Sequence, residues 1–525
     1  MKPLPVGIQS FEDLRSMDYL YVDKTEDIHR LITSGKIYFL SRPRRFGKSL
    51  LVSTLAELFK GEKSLFEGLY ICDKYDWTQQ YPVIIIDWSR VRHSTEEVME
   101  RDMCAYLAQI AAMYQINLLR PYASGKFAEL IECLYEKKGR KVVVLVDEYD
   151  KPILDALNDL TEVERIRNFL QSFYAALKGS DDFLRFVFIT GVSKFSKVSI
   201  FSGMNSPDDI TMDEQYAKIC GYTQAELVRV FEEYIRQFAQ KEQVTEAEIV
   251  ESIRYWYNGY SWDGVTTVYN PYSTLVLFRQ KKFINYLFAS GTPTFLVNQV
   301  KKRNDVKYLL APTQIFADGF DNFEPDSMST KLLLFQTGYL TVKSVIKGKI
   351  GQPSKYILGI PNEEVRKSLI KHLVSSYAEI TVSETDDLRD FMQQQLFDGD
   401  ASAFQRNMQA MFARIPYQLH IPSDAYYHSL ILLWLNMLGF DVLGEVPTDI
   451  GRIDAVWRQD DRVVIAEIKH DENSTLEALL QEAFEQIHDR RYYEAFLGKN
   501  RRVALLAIAI TGKETACRME ELIQE

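Results

Sequence analysis

Four continuous apolar runs, Ile37 to Leu40, Val83 to Ile86, Val142 to Val146 and Phe186 to Ile189, mark the N-terminal part of the chain. None alternates with polar positions, which is the pattern of strands covered on both faces. Helical spacing lies between them. After a Pro/Arg/Gly turn, Leu50, Leu51, Leu55, Leu58 and Phe59 recur at the helical period. Strands alternating with helices predict a parallel sheet flanked by helices.

From about Asp213 to Lys301 the pattern is helical and aromatic, interrupted by the turns Tyr257-Asn258-Gly259-Tyr260 and Tyr269-Asn270-Pro271. This stretch reads as a helical lid or accessory domain. Between Thr330 and Tyr377 come a helix, a short hairpin opened by Gly338-Tyr339-Leu340-Thr341, and a second helix starting at Pro361-Asn362-Glu363-Glu364. Acidic residues suit the positive end of that helix. The order is compatible with a small winged-helix unit. Residues 378–424 are polar, helical and linker-like.

Then Tyr426 to Met437 reads as a helix, Asp441 to Val446, Arg452 to Trp457 and Val463 to Ile468 as strands, Thr475 to Phe496 as an amphipathic helix, and Val503 to Ile510 as a final strand. The chain is thus an α/β multidomain protein: a parallel-sheet domain (1–212), a helical lid (213–325), a winged-helix and linker region (326–400) and an αβββαβ domain (401–525).

Composition narrows the classes. Of 525 residues, 46% are hydrophobic and 26% charged, as in an ordinary globular protein rather than a disordered or fibrous one. The net charge of −11 lacks the bulk basicity of a nucleic-acid binder, so any nucleic acid must be met by a local patch or through bound metal. Five cysteines, odd in number and without a CxxC pair, exclude a disulfide scaffold and a cysteine-rich zinc site and predict a reducing compartment. Neither a signal peptide nor about 18 uninterrupted apolar residues is present, so a cytoplasmic location without a membrane partner is expected.

Ser41-Arg42-Pro43-Arg44-Arg45-Phe46-Gly47-Lys48-Ser49 joins the Ile37 strand to the Leu50 helix, where a phosphate-cradling loop must lie. The loop's backbone amides, with Phe46 and Gly47 in it, would cradle phosphates, Arg44 and Arg45 are candidates for phosphate contacts or simply a surface turn, Lys48 would reach the β and γ phosphates, and Ser49 would hold Mg²⁺. Arg42 stands where the GxxxxGK[ST] pattern has its first glycine. The Val142 strand ends in Asp147 and Glu148, suited to hold the metal and polarise the attacking water, and Thr190 ends another strand as a candidate γ-phosphate sensor. ATP and Mg²⁺ are the cofactors this implies.

A second constellation lies near the C-terminus. If the Arg452 and Val463 strands pair through the polar turn at Gln459 to Asp461, Asp454 faces Glu467, and Lys469 lies on the same face two positions on. Two carboxylates and an ammonium suit Mg²⁺-assisted attack of water on a phosphodiester. Gln486 on the following helix is a further candidate contact, with an exposed helix-face glutamine as the alternative; His428 reads first as a satisfied core-edge histidine and second as a neighbour of the metal, and His470 should point to the opposite face. Between residues 421 and 525, 11 basic side chains stand against 19 acidic ones, a net −8, so the domain alone should attract a polyanion weakly.

Several strings resemble one family. Tyr21-Val22-Asp23-Lys24-Thr25, the loop from Ser41 to Ser49, Val146-Asp147-Glu148-Tyr149-Asp150-Lys151-Pro152, Thr190-Gly191-Val192-Ser193-Lys194-Phe195, Trp256-Tyr257-Asn258-Gly259-Tyr260 and Ser290-Gly291-Thr292-Pro293 are similar to the bacterial AAA-ATPase-like proteins with a C-terminal PD-(D/E)XK nuclease domain. The resemblance covers nearly the whole chain. It implies a P-loop NTPase fold, a restriction-endonuclease-like C-terminal domain, Arg42 as part of the family's own loop, and Asp454, Glu467 and Lys469 as the nuclease motif. The helix around Tyr427 and His428 offers no counterpart to the helix-one glutamate frequent in such enzymes. Nucleic acid, DNA foremost, is the implied partner, an oligomer is compatible with it, and defence or mobile-element biology is the setting suggested by analogy. The rival expectation is a nucleotide-switched scaffold or signalling protein whose C-terminal domain binds without cutting.

Overall fold

The computed structural model describes residues 1–157, 159–194, 200–201, 206–287, 300, 312–320, 329–349, 351–378, 387, 401–414, 424–437, 442–447, 452–459, 462–496, 502–512 and 514–522. The chain divides into two compact units, Met1–Leu287 with Gln314–Glu364, and Phe288–Thr313 with Val365–Glu525. The boundaries expected at 212 and 325 both fall within the first unit.

In the first unit, β1 (Ile37–Ser41), β2 (Val83–Asp87), β3 (Val142–Asp147), β4 (Leu184–Gly191) and the short β5 (Asp208–Asp209) form one sheet in the order β2-β3-β4-β1-β5. All of its pairs are parallel. Every residue of β3 is buried, as its unbroken apolar run requires. Helix Lys48–Lys60 leaves β1 through Gly47, whose φ of +88° is a backbone conformation that glycine adopts without strain.

The described part of the 213–325 segment is helical, with helices Gln224–Val230, Glu232–Glu242, Glu246–Tyr257 and Pro271–Gln280. Phe231, Phe238, Ile253, Tyr257 and Phe278 pack with Leu20 and Val22 from the N-terminal segment into one apolar cluster. The first and third of these helices begin with reciprocal capping boxes, Thr223 with Glu226 and Thr245 with Glu248. A two-stranded antiparallel sheet, β6 (Tyr222–Thr223) with β7 (Val268–Tyr269), joins the residues that lead into the first and the fourth of these helices. Of the elements compatible with a winged helix, helix Thr330–Gln336 and the antiparallel hairpin β9 (Thr341–Ile346) with β10 (Lys355–Gly359) are present. β8 (Thr313–Phe316) extends that hairpin to three strands in the order β8-β10-β9. Gly259 comes so close to the Pro361 carbonyl that any side chain there would collide with it, which explains the glycine of the Asn258-Gly259 turn.

The second unit contains helices Glu363–Ala378 (from Val365), Ala401–Arg414 and Asp424–Met437, then β11 (Leu443–Pro447), β12 (Arg452–Gln459), β13 (Arg462–His470), helix Leu476–Asp489, β14 (Arg502–Thr511) and β15 (Glu514–Leu522). The five strands follow the order β11-β12-β13-β14-β15, with only β13 and β14 parallel. The expected αβββαβ order therefore gains one strand. β15 carries Glu514, Arg518, Glu520 and Glu521, charges that suit an exposed edge and hide its periodicity. Helix Ala401–Arg414 covers part of it, with Gln405 and Gln409 bonding the backbone of Thr515 and Cys517. The Thr475 helix ends at Asp489, earlier than its pattern suggests.

All five cysteines are free thiols. Among the described residues no helix is long and apolar enough to cross a membrane.

Candidate functional site

The P-loop region is built at the carboxyl ends of parallel strands. Lys48 opens its helix, is 7% exposed, and its Nζ donates to the carbonyl oxygens of Arg42 and Pro43, both at 2.9 Å. Burial lowers its pKa against the pull of Asp147 and Asp150. A group that must stay charged in so dry a place needs acceptors, and phosphate oxygens are stronger ones than loop carbonyls.

Asp147 ends β3 and is hydrogen-bonded to the Ser49 hydroxyl, so the two residues expected to hold one Mg²⁺ do meet. Burial raises the Asp147 pKa, opposed by that hydrogen bond and by Lys48. Glu148 follows with φ +53°, a left-handed backbone uncommon for such a residue. Its carboxyl is raised by burial and then by the Asp147 charge. Gly47 leaves open space where a Cβ would stand, so the mouth of the loop can admit a phosphate group. The residues present therefore fit a nucleotide with its divalent cation.

Other expected ligands have different surroundings. Arg42 is fully buried: its guanidinium donates to the carbonyls of Ser41 (2.9 Å), Thr211 (2.8 Å) and Tyr216 (3.2 Å) and lies 3.8 Å from the Trp262 ring centroid. Burial lowers its pKa to about 10. Phe46 is buried edge-on against Tyr260 and Trp262. Arg45, at φ +66°, lays its guanidinium 4.0 Å from the Tyr272 centroid and donates to the Tyr286 carbonyl at 3.3 Å. Arg44 is exposed, and its carbonyl accepts from Asn270. The Thr190 hydroxyl, fully buried, donates to the Leu40 carbonyl at 2.9 Å and so turns toward β1 rather than into the loop.

Asp150, buried beside this acidic end, accepts from the Val192 amide and from both the amide and hydroxyl of Ser193, so its work is to hold the turn after β4. Asp87 escaped the sequence reading. It ends β2 in register with Asp147, and its signal was there, since the Val83 run ends on an acid just as the Val142 run does.

The second site lies on β12 and β13. Ala455 pairs with Ala466 and Gln459 with Arg462, which is the register that brings Asp454 opposite Glu467. Asp454 Oδ2 accepts the Ile468 amide at 2.8 Å, so the carboxylate takes the place of a ladder acceptor. Glu467 is 2% exposed; its Oε1 accepts from Gln486 and lies 3.7 Å from the Lys469 Nζ. Its Oε2 is buried with no hydrogen-bond partner among the described residues. Burial, followed by the Asp454 charge, pushes its carboxyl up to about 8. The site is thus electron-rich and dry, the condition under which a cation is welcome.

Gln486 bridges the cluster: its Oε1 accepts from Lys469 at 2.6 Å and its Nε2 donates to Glu467. Lys469 also lies 3.3 Å from Glu482. His428 Nε2 is 3.7 Å from Asp454 Oδ1, and His470 stacks on Tyr427 with centroids 4.3 Å apart, away from Lys469 as the strand period requires. Among the described residues, no three His, Cys, Asp or Glu side chains converge closely enough to hold a metal by themselves. The orphaned Glu467 oxygen nonetheless fits a cation shared with Asp454.

Residues 5–201 match the family model described as predicted AAA-ATPase, and residues 423–520 match the PD-(D/E)XK nuclease superfamily. The chain is also 37% identical over 516 residues to a protein of Azotobacter chroococcum mcd 1 described as "Uncharacterized protein in vnfD 5'region", covering 97% of this chain and 96% of that one. Parallel P-loop sheet, paired strand-end acids and the Asp454/Glu467/Lys469 hairpin agree with both matches: the chain belongs to the AAA-ATPase-like family that carries a C-terminal domain of the PD-(D/E)XK nuclease superfamily.

Proposed function

We propose that this protein binds and hydrolyses ATP at Lys48, Ser49, Asp147 and Glu148, and that the nucleotide state governs a Mg²⁺-dependent nuclease site at Asp454, Glu467 and Lys469 acting on nucleic acid, DNA foremost. Lys48 exchanges its loop carbonyls for β and γ phosphate oxygens. Ser49 with Asp147, and Asp454 with Glu467, are the pairs that would hold divalent cations. Such a cation neutralises phosphate charge and makes its bound water more acidic. Glu148 takes the proton of the water attacking the γ-phosphate, and Lys469 orients the water attacking the phosphodiester and stabilises the charge that develops. A cytoplasmic role in defence or in mobile-element biology is the setting that analogy suggests, and the defence branch predicts reduced phage plating in cells expressing the chain.

The observation that carries the nuclease half is the Glu467 oxygen, buried and without a hydrogen-bond partner among the described residues, in a cluster with Asp454 and Lys469. Incubation of purified protein with plasmid DNA, Mg²⁺ and ATP should give cleavage that disappears in Asp454→Ala and in Lys469→Ala. Cleavage persisting in both variants would exclude the assignment. Lys48→Ala should abolish nucleotide binding, and undiminished binding would exclude the ATPase half.

A second reading, a nucleotide-switched scaffold whose C-terminal domain binds without cutting, is favoured by the lack of glutamate on helix Asp424–Met437. The same plasmid assay separates the two: DNA retained but never cut with Mg²⁺ or Mn²⁺ supports the scaffold.

A further inference from the structure

The acidic nuclease-like domain, with its net −8, leaves the source of attraction for a polyanion open. Residues 329–360 have the opposite character: five lysines and no acidic residue in a chain of net charge −11. Two of the five are engaged, Lys343 on the Pro361 carbonyl at 2.9 Å and Lys331 on the Gln314 carbonyl at 3.4 Å. Lys347, Lys349 and Lys355, at the tip of the β9–β10 hairpin, are exposed, and among the described residues none of the three has a carboxylate partner.

The tip is a shaped turn. The Gln352 amide donates to the Lys349 carbonyl at 2.8 Å, Gly351 has φ +82°, and a side chain at Gly348 would collide with the Gln352 carbonyl. Lys355 pairs across the ladder with Ile346, and its ammonium lies 5.3 Å from the Phe316 centroid on β8. Ile346 is 53% and Phe316 49% exposed. Among the described residues, Asp318 lies in the turn after β8, and the Glu214 charge acts on the Tyr356 hydroxyl. Ammonium groups interleaved with exposed apolar side chains match a nucleic acid, the former reaching phosphates and the latter sugars and base faces.

We propose that the β9–β10 tip with Phe316 is a docking surface for DNA, supplying the attraction that the acidic nuclease-like domain lacks. The proposal rests on the nuclease reading above for its partner. The test is anisotropy of a labelled DNA duplex with the full chain in EDTA between about 50 and 200 mM salt. Combining Lys347→Gln, Lys349→Gln and Lys355→Gln should weaken binding and flatten the log–log salt slope by up to about 0.9 for each lysine. The corresponding triple Lys→Arg protein should keep the wild-type slope, and ATP binding should be unchanged in both.

An unaltered slope in the Gln protein, with wild-type binding intact, would overturn the docking surface alone. Failure of the wild-type chain to bind DNA would overturn the nuclease reading with it. Loss of binding to anionic phospholipid vesicles instead of DNA would assign the patch to a membrane and overturn the proposal.

Discussion

The Arg42 guanidinium lies 3.8 Å from the centroid of the Trp262 ring, so the arginine that replaces the first P-loop glycine is a clasp between the loop and the turn after helix Glu246–Tyr257. Its bonds to the Thr211 and Tyr216 carbonyls leave no room for it to serve as a phosphate ligand. Restoring the general pattern with Arg42→Gly should therefore damage the protein. Three buried carbonyls would lose their donor and the ring its cation, a loss of about 3 kcal/mol or more in urea unfolding. Equal stability of the Gly variant would refute the clasp.

Glu148 supports a cleaner separation of binding from chemistry. Because it stands beyond Asp147 and Ser49, Glu148→Gln should bind nucleotide nearly as well as wild type while hydrolysis falls by about 10²- to 10⁴-fold. Nucleotide titration and phosphate release measured on the same protein decide it; parallel loss of both would make Glu148 a structural residue.

Gln486 holds Lys469 and Glu467 in place without itself being a charged participant. Gln486→Ala should lower the turnover of DNA cleavage by about ten- to a hundredfold, as loss of an orienting partner does at metal sites. DNA affinity should change little. A variant with full turnover would show that the bridge is incidental.

Glu364 predicts a pH dependence of stability. Its Oε1 accepts from Ser273 (3.0 Å) and from the amides of Tyr286 (2.8 Å) and Leu287 (2.9 Å), yet its Oε2 is buried without a hydrogen-bond partner among the described residues. Burial wins over those bonds and pushes the carboxyl up to about 7. The folded chain thus binds a proton that the unfolded chain has released above about pH 4.3. Its stabilising contribution is complete below that pH and is lost as pH rises to about 7, on the order of 3 kcal/mol in all. Urea unfolding of wild type and Glu364→Gln across this range should show a decline in wild type that is missing in the variant; equal slopes would contradict it.

Much of both sites was legible in the chain because their signals are local. A strand, a glycine-bearing loop and a helix follow one another at Ile37 to Phe59, and an apolar run ends on Asp147. The Asp454–Glu467 relationship was legible for a similar reason: across a tight antiparallel turn the register is nearly forced. Edge strand β15 was missed because an edge tolerates charges that erase its alternation.

By itself the sequence determined the parallel sheet, the placement of Lys48, Ser49, Asp147 and Glu148 at its strand ends, and the shared face of Asp454, Glu467 and Lys469, since short-range periodicity dictates each. Only the tertiary structure decided that Arg42 faces Trp262, that the Thr190 hydroxyl is bound to β1, and that Glu364 and Glu467 lie in surroundings dry enough to raise their carboxyls. Those outcomes depend on burial and on partners far along the chain, and desolvation is a property of the packed volume rather than of any local window of residues.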